Sequence, residues 1–162
     1  MKLAILILED EPEVRAALER DLIEFARTVR LEPAEDVEDA REVVEEIAAE
    51  GDELAFALCD HRLPGTTGVE FLVEMMDDDR TAYTRKVLVT GQADLTDTIR
   101  AVNEAGLDHY IAKPWDADDL RAVVRDMLTT YVEETGLNPL PYMAVLEQDR
   151  AMEMVRNWGR AD

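Results

Sequence analysis

The feature that most constrains this chain is a series of short, almost wholly apolar runs, each closed by polar or turn-forming residues. Residues 2–8, 54–59 and 86–90 have this form. Strands buried on both faces of a parallel sheet read in this way, because neither face needs polar residues for water. Shorter runs at residues 29–31 and at His109–Ala112 supply a second and a fifth strand. Helix-period segments fill the gaps. Val14, Leu18, Leu22 and Phe25 form the first stripe, and Val37, Val43, Val44 and Ile47 the second. A third begins at Gly68 with Val69, Leu72 and Met76; a fourth carries Leu95, Ile99 and Val102 and stops at Gly106. After the last strand, Leu120, Val123, Val124, Met127, Leu128, Tyr131 and Val132 line one stripe. Strict alternation of strand and helix predicts a doubly wound five-stranded parallel α/β sheet with helices on both faces.

In such a sheet the ligand site lies beyond the carboxyl ends of the strands, so the polar residues that close strands carry the functional signal. Glu9 and Asp10 close the first strand, Asp60 the third, Thr90 the fourth, and Lys113 with Pro114 the fifth. These side chains are expected to converge at one edge. Three crowded carboxylates repel one another and call for a cation; hard oxygen ligands with room for water suit Mg²⁺. Lys113 is one of only three lysines in a chain that uses arginine 14 times, which marks a position where a compact point charge is needed. The acid runs across residues 35–53 and at Asp77, Asp78 and Asp79 read instead as solvated faces. Cys59, inside an apolar run, reads as packing; His61 and His109 lack metal-ligand spacing; Gly65 and Gly68 read as the turn after Asp60 and the start of the third helix.

Composition sets the outer limits. With 162 residues the chain fits one domain and a short appended element. A formal charge of −21 opposes direct binding to nucleic acid. No apolar stretch is long enough to span a membrane, the N-terminal run turns acidic too early for a signal peptide, and the single cysteine agrees with a reducing compartment. A cytoplasmic location is expected. From Gly136, Asn138, Pro139 and Pro141 onward the rhythm changes to a loop, and Tyr142, Met143, Leu146, Val155 and Trp158 suggest one more short helix. An isolated helix of this length is marginal, so it is expected to dock on its own domain near Tyr110 or in a homodimer; Trp115 and Trp158 read as packing anchors.

Four segments in order, Ile-Leu-Glu-Asp-Glu-Pro, Cys-Asp-His-Arg-Leu-Pro-Gly-Thr-Thr-Gly-Val-Glu-Phe-Leu, Val-Leu-Val-Thr-Gly and Tyr-Ile-Ala-Lys-Pro-Trp, each stand at the end of a predicted strand. Together they resemble the signature of the receiver domain of two-component response regulators. The resemblance covers residues 1–133 and leaves 134–162 as a loop and short helix without a separate output domain. It implies a flavodoxin-like sheet of order 2-1-3-4-5 and a phosphorylation-activated switch that takes phosphate from a phosphohistidine onto Asp60. It further implies that Asp10, Asp60 and the main-chain carbonyl of Arg62 hold Mg²⁺, with Glu9 acting through water. Glu9 departs from the commoner Asp. Lys113 and Thr90 would contact phosphoryl oxygens, Tyr110 would turn inward on activation, and Arg62 and Gln92 would tune the lifetime of the phosphorylated state. A cis bond between Lys113 and Pro114 is also implied.

The partners implied are a sensor histidine kinase or phosphotransfer protein and a downstream protein or second copy, with neither nucleic acid nor membrane. The chemistry would be limited to self-phosphorylation from a donor and slow self-dephosphorylation. Two rivals belong to other classes. One is a scaffold of the same fold that works without phosphorylation, which would not need Asp10, Asp60, Thr90 and Lys113 together. The other is a stand-alone phosphohydrolase, for which no second acid stands at the required spacing. The stretch from Thr90 through Asp116 is also similar to receivers that precede cyclic-dinucleotide phosphohydrolases, so a receiver fragment of such a regulator is a further expectation.

Overall fold

The computed structural model describes residues 1–91, 100 and 102–158. Its centre is a five-stranded, wholly parallel sheet of order β2-β1-β3-β4-β5. The strands are β1 (Leu3–Leu8), β2 (Arg30–Ala34), β3 (Glu53–Asp60), β4 (Arg85–Thr90) and β5 (His109–Ala112). Every residue of β1 is buried, as the unbroken apolar run requires.

The helices whose bounds lie among the described residues are α1 (Pro12–Asp21), α2 (Val37–Ala49), α3 (Gly68–Met76), α4 (Ala117–Thr135) and α5 (Gln148–Asn157). Several start where the sequence supplies an oxygen for the exposed amides of the first turn. Asp36 accepts from Asp39 N, Thr67 from Glu70 N and Asp116 from Asp119 N. Gly136 ends α4 in the left-handed conformation, φ +70°, which a side chain would oppose. Gly106 has φ +65°, in keeping with its reading as a stop, while Leu95 and Ile99 of the fourth predicted helix lie outside the described residues. The first predicted stripe is split: α1 stops at Asp21, and a 3₁₀ turn at Ile23–Arg27 carries the buried Phe25.

Period-two alternation divides the sheet's side chains between two cores. Leu3, Ile5, Ile7, Phe56, Leu58, Val87 and Val89 pack with α1 and α4. Ala4, Leu6, Leu8, Ala57, Cys59 and Leu88 pack with α2 and α3. Cys59 is therefore a packing residue, as read.

The tail departs from expectation in two ways. Tyr142 and Met143 lie in a 3₁₀ turn (Leu140–Val145), and α5 starts only after Glu147, whose carboxylate accepts from Asp149 N and Arg150 N. Trp158, read as an anchor, is half-exposed, whereas Tyr142, Val145, Leu146 and Ala151 are buried. These four join the core shared with α1 and α4, while Tyr110 packs on the opposite side of the sheet. The tail thus docks on its own domain, against α4 and in the core on the side of the sheet away from Tyr110. Thr129 of α4 donates to Arg125 O at 2.7 Å and accepts from Glu147 N at 2.8 Å. Arg150 bridges Asp126, Glu133 and Thr130, and Tyr142 donates to Met1 O at 3.2 Å.

The start of β4 holds a feature the sequence reading passed over. Lys86 is buried, with Nζ donating to Thr84 O at 2.9 Å and lying 3.5 Å from both Thr81 O and Ala82 O. Burial lowers its pKa to about 8.

Candidate functional site

Parallel strands that end at one edge bring their last residues together, and the predicted residues meet there. A pocket of about 370 Å³ is lined by Asp10, Glu11, Asp60, Arg62, Thr90, Gly91 and Lys113. Asp60 is the last residue of β3 and Thr90 the last of β4; both are buried. Glu9, just past β1, is fully buried with its amide bonded to Ala34 O at 3.0 Å. The Lys113 amide donates to Thr90 O at 3.1 Å, which pins the end of β5 to that of β4, and the Lys113–Pro114 bond is cis.

One carboxylate oxygen from each of Glu9, Asp10 and Asp60 lies within 4.8 Å of the other two. Lys113 reaches into this cluster: its Nζ pairs with Glu9 Oε1 and stands 3.3 Å from Asp60 Oδ2. Burial disfavours the Lys113 ammonium, but the bond to Glu9 and the charge of Asp60 outweigh it and hold its pKa above the ordinary lysine value. Burial also pushes the Glu9 carboxyl up to about 7, opposed by Lys113 and reinforced by Asp60. Glu9 Oε2 is buried without a hydrogen-bond partner among the described residues.

That orphaned acceptor beside two further carboxylates tests whether a cation fits. A buried oxygen without a donor costs about 1–3 kcal/mol, and a divalent ion or its water would satisfy it. The donor set is all oxygen, with no sulfur or imidazole, which matches a hard ion.

Several positions that the sequence left bland also shape the site. A Cβ built on Gly68 would lie 2.0 Å from Asp60 O, so the start of α3 sits directly on the peptide that carries Asp60. Gly65 has φ +78° and open space around it, and serves the turn. Arg15 of α1 donates to Glu9 O at 2.8 Å, and Glu11 lines the pocket mouth. The spacing of Glu11 and Arg15 from Asp10 was available in the sequence, but nothing in residue type set them apart from a solvated helix start.

The remaining predicted residues fall as follows. Arg62 is exposed at the pocket wall, and its amide points at Asp60 Oδ1 at 3.4 Å, a long contact. Tyr110 is half-buried on β5, with its hydroxyl 3.5 Å from Thr90 O. Gln92 lies outside the described residues. His61 sits in the turn after Asp60 and His109 is exposed on β5. No described helix is long and apolar enough to cross a membrane.

Comparison with known proteins agrees with this geometry. The family model described as the response regulator receiver domain matches residues 5–125. The hydrogenase transcriptional regulatory protein HoxA of Cupriavidus necator is 36% identical over 133 residues, covering 82% of this chain and 25% of that protein. The transcriptional regulatory protein TcrA of Mycobacterium tuberculosis is 32% identical over 121 residues, covering 75% of this chain and 44% of its own length. The chain therefore spans a quarter to less than half of these relatives. Among solved structures, a CheY-like response regulator receiver domain protein from Methanospirillum hungatei superposes with a TM-score of 0.70 at 25% identity, covering 83% of this chain and 99% of that one. On its family match, its sheet order and the acidic pocket at the strand ends, this chain belongs to the receiver domain family of two-component response regulators.

Proposed function

We propose that this chain is a phosphorylation-activated switch in which Asp60 accepts a phosphoryl group from a phosphohistidine. The observation that carries the reading is the meeting of Glu9, Asp10 and Asp60 within 4.8 Å, with Lys113 paired to two of them, at the floor of an open pocket. A scaffold that works without phosphorylation has no use for a buried acid cluster that costs folding energy.

Asp60 Oδ attacks phosphorus, the P–N bond to the donor imidazole breaks, and an acyl phosphate forms. Asp10, Asp60 and the Arg62 carbonyl would hold Mg²⁺, with Glu9 contributing through water. A bound Mg²⁺ supplies positive charge against the phosphoryl oxygens. Lys113, already held charged by Glu9 and Asp60, exchanges one of those carboxylates for a phosphoryl oxygen. Thr90, at the pocket wall, offers its hydroxyl to another. Movement of Thr90 toward the phosphoryl group frees space for Tyr110, whose hydroxyl already faces the Thr90 carbonyl, and this reshapes the surface around β5. Arg62, at the mouth, and Gln92 tune how long the acyl phosphate lasts. The donor is a sensor histidine kinase or phosphotransfer protein, and the readout is a protein partner or a second copy. Residues 134–158 pack onto the domain through Tyr142, Val145, Leu146 and Ala151.

The test is incubation with acetyl phosphate and Mg²⁺ followed by intact-protein mass measurement. The wild type gains the mass of one phosphoryl group, removed by hydroxylamine as an acyl phosphate is, and Asp60→Asn gains none. A hydroxylamine-labile phosphoryl group on the folded Asn variant would reject Asp60 as the acceptor.

A further inference from the structure

Glu11 is the N-cap residue of α1, yet its side chain accepts no cap hydrogen bond. In contrast, Asp36, Thr67, Asp116 and Glu147 each cap the helix they precede. The Glu11 side chain is exposed at the wall of the pocket that holds Asp60, Arg62 and Lys113. Its carboxylate therefore stands in the entrance through which any phosphodonor must come, and it is not consumed by the local helix geometry.

Among the described residues, Glu9, Asp10 and Asp60 stand against Lys113, a surplus of two negative charges that a divalent cation offsets. Glu11 adds one further negative charge at the pocket wall. A small phosphodonor arrives as a free anion and depends on the local potential for its encounter. A protein donor brings its own contact surface, which outweighs one exposed charge.

We propose that Glu11 is a specificity-determining residue: its carboxylate at the pocket mouth slows phosphorylation by small anionic donors and so favours a protein-borne phosphohistidine. The inference rests on the phosphoacceptor reading of Asp60. Because Glu11 is exposed, its influence is screened within a Debye length, about 8 Å at physiological salt. For an exposed charge this near a doubly charged donor, Glu11→Gln raises the acetyl phosphate rate by about threefold to tenfold at low ionic strength, and Glu11→Lys raises it further.

The experiment uses the full chain and measures acetyl phosphate reactivity at low and high salt, together with Mg²⁺ affinity by calorimetry without any donor. The expected signature is a split. Removing the negative charge speeds the donor reaction while weakening Mg²⁺ binding by about twofold to fivefold, and both effects shrink toward unity at high salt. Equal rates for wild type and Glu11→Gln at low salt overturn the proposal. So do changes of the same sign in rate and Mg²⁺ affinity that persist at high salt, which mark a disturbed helix start. Loss of Mg²⁺ affinity beyond about thirtyfold makes Glu11 a ligand, which also overturns it. Failure of the folded wild type to take up phosphate from any donor contradicts the Asp60 reading itself; phosphate uptake with unaltered rates contradicts only the role of Glu11.

Discussion

Gly68→Ala tests how the turn after β3 fixes the carboxylate proposed as phosphoacceptor. The added methyl would lie 2.0 Å from Asp60 O and 2.8 Å from its carbonyl carbon, against an ordinary contact beyond 3.4 Å. The obstacle is backbone, so α3 and the end of β3 must separate by more than about 1 Å. Overpacking of this kind costs about 1–3 kcal/mol, or about 2–12 °C in melting temperature for a domain of this size. A displacement of about 1 Å at a reacting group can cost about 100-fold in rate. Gly65→Ala is the control: its φ of +78° carries a backbone penalty, but nothing lies within 4 Å of the new Cβ. Urea unfolding should show both variants destabilised by about 1–3 kcal/mol. Phosphorylation from acetyl phosphate should fall by about tenfold or more only in Gly68→Ala. Wild-type phosphorylation rates in Gly68→Ala would refute the reasoning that this contact positions Asp60.

Three further outcomes are expected. Leu146→Ala, in the fully buried part of the tail, should cost about 2–4 kcal/mol in urea unfolding, as a central core leucine does; a loss under about 0.5 kcal/mol would show the tail to be a passive extension. Lys86 releases its proton near pH 8 when folded but near 10.5 when unfolded, so between those values the unfolded chain binds more protons and stability rises with pH. Wild type should therefore gain about 2–3 kcal/mol relative to Lys86→Met between pH 8 and pH 10, and a flat difference would contradict the buried charge. Lys113→Arg should fold but lose phosphorylation or switching, because a forked guanidinium does not fit the space between Glu9 and Asp60; normal phosphorylation with normal partner binding would make Lys113 a mere surface charge.

What the sequence revealed, and what it hid, follows from where each signal originates. The central strands were legible because burial on both faces leaves an unbroken apolar run, and the site followed because parallel strands end at one edge. Asp36, Thr67 and Asp116 are ordinary cap residues, so the starts of α2, α3 and α4 were also readable. The start of α5 was not: Glu147 is an uncommon cap, and the apolar Tyr142 and Met143 before it imitate a helical stripe while lying in a 3₁₀ turn. The face covered by the tail depends on Arg150 meeting Asp126 and Glu133, a match between exposed charges with no local pattern. Burial of Lys86 depends on carbonyls of a turn that folds back over it. The crowding of Gly68 on Asp60 is likewise tertiary, although its proximity to Asp60 in the chain hinted at a turn.

The central claim is that Asp60 and the acids around it form one Mg²⁺-dependent phosphoryl site. Calorimetric titration of beryllofluoride, a phosphoryl mimic, into wild type and Asp60→Asn with and without Mg²⁺ tests it most directly. The account predicts binding only by the wild type and only with Mg²⁺, in keeping with the carboxylates of Glu9, Asp10 and Asp60 gathered within 4.8 Å. Equal binding by the folded Asn variant, or binding by the wild type that ignores Mg²⁺, would contradict it.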